Sequence, residues 1–166
     1  MKLKVTISIL LMALFFSSNA QEVGSMAYDI MLQGLLSHSV KEVSVNEVKD
    51  KKEVVFVDAR ERKEFDVSHI KGAIFVGYDS LDLSAMKKVN KNKEVIVYCS
   101  VGYRSEKVSE KLEEMGFKNV SNLYGGIFEW KNQDQPLVTP ESKPTEEIHA
   151  FSRVWGIWLN KGTKVY

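Results

Sequence analysis

The sequence predicts an α/β domain, a central parallel five-stranded sheet flanked by helices, with N-terminal and C-terminal helical extensions. Three observations carry this. "VVFVDAR" (54–60) and "KEVIVYC" (93–99) are unbroken β-branched and aromatic runs, the pattern of strands buried on both faces. "RSEKVSEKLEEMGF" places Val108, Leu112 and Met115 on one helical face. Strand-like and helix-like segments alternate, which implies parallel βαβ units with loops at the carboxyl ends of strands as places for a site.

Taken in order, residues 1–20 read as a signal peptide. Lys2 and Lys4 precede an apolar run too short to span a bilayer, and Ser18 and Ala20 are small residues suited to cleavage after Ala20. A periplasmic or secreted protein is the expectation. Residues 21–41 form an N-terminal helical extension, with Tyr28, Met31, Leu32, Leu35 and Leu36 at helical spacing and Ser25 as its cap. The main domain is expected over 42–138. It opens with a short strand around Val43 and Val45, and Asn46 is placed to cap a short helix. The strand at 54–60 and a charged segment, "ERKEFDVSH", come next. A third strand, "GAIFVGY", leads to a short helix at "LSAMKKV" and then to the fourth strand. The helix after that strand stops at Gly116, a natural C′ residue. "KNVSNLYGG" is the fifth strand, and "GIFEW" starts a helix that ends before Pro136. Residues 139–166 are a linker rich in proline, then a Trp-rich extension in which Ile148, Phe151, Trp155 and Trp158 recur at helical spacing.

Composition excludes some classes. Without the signal the net charge passes from +1 to −1, which gives no electrostatic footprint for nucleic acid. No later stretch is long enough for a membrane span. Cys99 is the only cysteine, so neither an internal disulfide nor a Cys-x-x-Cys pair exists. His38, His69 and His149 lack ligand spacing, so no metal or cofactor is implied.

Cys99 closes the fourth strand, and a helix begins at about Arg104. Ser100, Val101, Gly102 and Tyr103 lie between. Such a loop can turn its backbone N–H groups inward as an anion cradle, aided by the helix N-terminus. Gly102 permits a backbone angle that a Cβ would forbid, and Arg104 adds a cation at the rim. The cradle favours a thiolate over a thiol. Ser100 and Ser105 are candidates for hydroxyl hydrogen bonds to sulfur, with capping of the helix as the other role for Ser105. A small core hydrophobe is the plainer reading of a lone cysteine.

The segments "VVFVDARERKEFDVSHIKGAIFVGY", "VIVYCSVGYRSEKVSEKLEEMGFKNV" and "SNLYGGIFEW" together resemble the rhodanese family of sulfurtransferases. The resemblance implies that Cys99 takes a sulfane sulfur from a small anionic donor such as thiosulfate, holds it as a persulfide, and passes it to a thiol, cyanide or another nucleophile. It makes Ser100 to Ser105 the cradle, with Arg104 helping to hold the donor. Asp58 and Arg60 become a supporting charged pair. Ser68 and Gly77 depart from the family pattern at two positions away from the loop. His69 is read as a supporting structural residue.

Two other classes stay open at this level. One is a persulfide carrier or protein-interaction module with little turnover, using the C-terminal tail as a possible partner surface. The other is a cysteine phosphatase or arsenate-reductase-like enzyme. For that class the Cys-x4-Arg loop is one residue short of the Cys-x5-Arg loop that cradles a phosphate.

Overall fold

The computed structural model describes residues 23–166, so the expected signal peptide lies outside the described residues. One five-stranded sheet forms the centre, built of β1 (Glu42–Val43), β2 (Val54–Asp58), β3 (Ile74–Phe75), β4 (Glu94–Tyr98) and β5 (Asn119–Leu123). Its order is β1-β5-β4-β2-β3, and every pairing is parallel. β4 is bonded on both sides, to β2 from Val54↔Glu94 to Asp58↔Tyr98 and to β5 from Glu94↔Asn119 to Val97↔Asn122. That central place explains its unbroken apolar sequence. Ile96 and Tyr98 enter one core and Val95, Val97 and Cys99 the other, because successive side chains point to opposite faces.

The first core is closed by α1 (Met26–Leu35) and α5 (Gly126–Asn132), through Tyr28, Leu32, Ile127 and Phe128. The second is closed by α4 (Tyr103–Glu114), through Val108 and Leu112. Ser25 caps α1 as expected, accepting from Tyr28 N. α2 (Val45–Val48) is capped by Ser44, two residues before the expected cap. Ser44 and Glu47 form a reciprocal capping box, which leaves Asn46 inside the helix. The charged segment after β2 folds as α3 (Arg62–Val67). α4 ends with Gly116 at φ +87, where Gly116 N donates to Glu113 O and Phe117 N to Leu112 O. This pair of bonds is the Schellman arrangement that satisfies the last carbonyls of a helix.

The C-terminal region differs from the expectation in two places. The proline-rich stretch is a hairpin rather than a free linker: β6 (Leu137–Val138) pairs antiparallel with β7 (Pro144–Thr145). Beyond it, the helical spacing from Ile148 to Trp158 does not produce one helix. β8 (Glu147–His149) pairs in parallel with β9 (Thr163–Val165), and the helical part is a single 3-10 turn at Trp155–Trp158. Two backbone features decide this. Phe151 sits at φ +62, which stops a helix, and Gly162 at φ +84 turns the chain back so that β9 takes up the hydrogen bonds of β8. The tail is nonetheless packed on the domain. Ile148, Ala150 and Leu159 are fully buried, and the Trp158 ring stacks on Tyr28 at 5.3 Å between centroids.

Candidate active site

β4 delivers Cys99 to the carboxyl edge of the sheet, and the chain then turns sharply into α4. This loop is held from beneath by the first turn of α5. Ile127 N donates to Cys99 O at 2.9 Å and Phe128 N to Ser100 O at 3.1 Å. These are amides at a helix start, which have no partner within their own helix. So close an approach requires glycine: a Cβ on Gly126 would lie 2.5 Å from Cys99 O. The Gly-Gly pair of the sequence is therefore the seat of the cysteine loop.

Gly102, at φ +129, is the N-cap of α4, and its N–H donates to Cys99 Sγ at 3.2 Å. Its carbonyl accepts from Asn122 Nδ2 at 3.0 Å. Ser105, expected near the sulfur or at the cap, is inside α4. Its hydroxyl faces Asn122 Oδ1 and Gly102 O, at 2.7 and 3.0 Å. Ser100 also turns from the sulfur and donates to Glu64 Oε1 at 3.0 Å. Cys99 and Val101 are nearly buried, yet they border a cavity of about 240 Å³ that Tyr103 and Arg104 also reach. Its remaining walls are Ser100 of the loop, Leu35 of α1, and Phe151 and Trp155 of the tail.

Arg104 is not a free cation at the rim. Its guanidinium makes a two-pronged pair with Glu64, Nη1 to Oε2 at 2.7 Å and Nη2 to Oε1 at 2.8 Å, and also donates to Ser100 Oγ. Burial works against the Glu64 charge, but the Arg104 hydrogen bonds and charge outweigh it and hold the carboxyl at about 2. Arg104 is in turn raised above its ordinary value, against its own burial, by Glu64 and by the neighbouring Cys99. α3 brings Glu64 to this place, fully buried, from the charged segment that sequence reading left without an element.

Asp58, Arg60 and His69 do not border the cavity. Arg60 and Asp58 form a second two-pronged pair, fully buried, with Nη2 to Oδ2 at 2.7 Å and Nε to Oδ1 at 3.0 Å. Arg60 Nη2 also donates to Ser68 O, which ties the end of β2 to the end of α3. His69 stacks on Phe65 at 3.8 Å, and its backbone bonds to Val138. Among the described residues no group of three or more His, Cys, Asp or Glu side chains is placed to hold a metal ion. Nor is any described helix long and apolar enough to cross a membrane.

Sequence reading missed Glu64, Asn122, Leu35, Phe151 and Trp155. Phe151 carries a visible peculiarity: an aromatic residue at φ +62, its N–H donating to His149 Nδ1 at 3.0 Å. Such backbone angles are costly away from glycine and concentrate at functional sites. Its ring lies 5.0 Å from the Arg104 guanidinium carbon.

Comparison with known proteins adds the following. Residues 43–133 match the family model described as "Rhodanese-like domain". A tRNA uridine(34) hydroxylase of Photorhabdus laumondii is 36% identical over 105 residues, which is 59% of this chain and 30% of the relative. The chain therefore spans less than a third of the length of that relative. A thiosulfate sulfurtransferase of Pseudomonas aeruginosa superposes with a TM-score of 0.55 at 24% identity, over 72% of this chain and 23% of that one, and shares the fold. A rhodanese-related protein of Thermoplasma volcanium gives 0.53 at 25% identity, over 59% of this chain and 97% of the other.

Proposed function

The chain belongs to the rhodanese-like domain family, and on that premise we propose that it is a sulfurtransferase working through a persulfide on Cys99. One observation carries the reading. Gly102 N–H is directed at Cys99 Sγ from 3.2 Å, where the sulfur meets a cavity with room for a second sulfur atom. The Cys99 thiolate attacks the outer sulfur of the donor. The donor's bond to that sulfur breaks, and the leaving group departs with the electron pair. A nucleophilic acceptor then attacks the outer sulfur of the persulfide and returns Cys99 as thiolate. Gly102 N–H, and the loop that Gly126 lets α5 support, hold negative charge on sulfur in both states. The sequence contains no second cysteine to discharge the persulfide as a disulfide.

The activity of the tRNA hydroxylases is not carried over. It belongs to proteins of which this chain matches 30%, and a chain of net charge +1 offers little to a phosphate backbone. Export to the periplasm or beyond, with cleavage after Ala20, is part of the same proposal, and the mass of the protein recovered from that compartment tests it.

The functional test is intact mass after thiosulfate, followed by cyanide. The expected result is the gain of one sulfur atom, lost again as thiocyanate. Cys99→Ser should abolish both and keep the fold by circular dichroism. Full thiocyanate formation by Cys99→Ser would sink the mechanism. A stable adduct without turnover would favour a carrier.

A further inference from the structure

The walls around Cys99 say what kind of molecule brings or removes the sulfur, given the sulfurtransferase reading above. Leu35, Val101, Phe151 and Trp155 surround the sulfur with hydrocarbon and aromatic surface. Three of them, Leu35, Phe151 and Trp155, lie outside the 43–133 match, so this chain's own two extensions complete the pocket. Of the polar side chains on the wall, Arg104 and Ser100 are already engaged. The Arg104 charge is matched by Glu64, and the Ser100 hydroxyl donates to the same carboxylate. A dianion such as thiosulfate would have to leave water for a cavity whose one guanidinium is neutralised. Phe151 is held at its strained angle by the bond from its N–H to His149 Nδ1, which fixes an aromatic ring in the wall. A preorganised aromatic wall of this kind recognises apolar and aromatic groups.

We propose that the sulfur compound handled by Cys99 carries an apolar, aromatic-sized group beside its transferable sulfur, as in an aryl or alkyl persulfide or thiosulfonate. In the transfer step the Cys99 thiolate forms a bond to the terminal sulfur. The bond from that sulfur to the rest of the donor breaks, and the organic thiolate or sulfinate leaves with the electron pair and the negative charge. No external oxidant or reductant enters. The organic group rests against Phe151 and Trp155, with Leu35 opposite.

The test uses three donors, benzenethiosulfonate, methanethiosulfonate and thiosulfate, with cyanide as acceptor and intact mass for the adduct. The two thiosulfonates carry the same charge and reactive group and differ in the apolar substituent. The expected kcat/KM is about tenfold or more higher for the benzene donor than for the methane donor, as burial of a ring predicts. This ratio should fall toward one in Phe151→Ala and in Trp155→Ala. A wild-type ratio near one, or thiosulfate as the fastest donor, overturns the apolar-substrate proposal and leaves the sulfurtransferase reading standing. Absence of a sulfur adduct on Cys99 from any of the three overturns both.

Discussion

Two arginine–carboxylate pairs sit at the carboxyl edge of the sheet, and they do different things. Asp58–Arg60 is sealed: both side chains are wholly buried, and Arg60 Nη1 has no hydrogen-bond partner among the described residues. Burial works against the Arg60 charge, but Asp58 raises it above its ordinary value. Glu64–Arg104 has the same fork geometry but stands at the cavity, with the Arg104 side chain 13% exposed. The first pair joins β2 to the end of α3 and has no route to a substrate. The second cancels a charge beside the Cys99 sulfur. The same two residue types thus act once as a brace and once as a means of making a cationic rim neutral.

The sharpest way to break this comparison is to remove the sealed partner. Asp58→Ala leaves Arg60 buried and uncompensated, and should cost about 3–5 kcal/mol in denaturant unfolding. Glu64→Gln should cost less, about 1–3 kcal/mol, because Arg104 can turn partly to solvent. It should also lower KM for thiosulfate several-fold by freeing the guanidinium. Equal stability losses in the two variants would mean that the pairs are not distinct. Acid titration separates them further. The folded carboxyl of Glu64 lies at about 2, below its ordinary value of 4.5, so its contribution is complete above about pH 4.5 and lost as pH falls toward 2. Unfolding curves across that window should flatten in Glu64→Gln.

The smallest effect belongs to His149, beside the second pair. Burial lowers it from 6.5, and its Nδ1 accepts from Phe151 N. A lowered histidine is neutral in the folded protein, so its stabilising share is present above about pH 6.5 and lost as pH falls below. Melting temperature should decline slightly between pH 7 and 5, and less so in His149→Gln.

Much of this was legible in the sequence. β2 and β4 are buried on both faces, so their composition needs no neighbour to interpret. The loop residues 99–104 are consecutive in the chain, so their geometry follows from local backbone rules, whereas the seat at Gly126 depends on its approach to Cys99 O from another part of the chain. Glu64 was not legible. Its segment holds three acids, Glu61, Glu64 and Asp66, and only the register of α3 decides which one faces Arg104. The tail was misread for a related reason. Apolar residues at positions 148, 151, 155 and 158 suit a helix, while the strand pairing that replaces it depends on β9, sixteen residues beyond β8 in sequence register. Ser105 was assigned by its nearness in sequence to the sulfur, but its helical position turns it to Asn122 on β5.

The pocket wall is drawn from residue 35 at one end and residues 151 and 155 at the other, with the sheet between them. During synthesis the five strands and the cysteine loop leave the ribosome before the aromatic residues that roof them. A chain interrupted after Val138 contains every strand of the central sheet and the whole 99–104 loop, yet lacks Phe151 and Trp155 beside Cys99. Completion of the tail is thus the event that sets Phe151 and Trp155 into the wall beside Cys99.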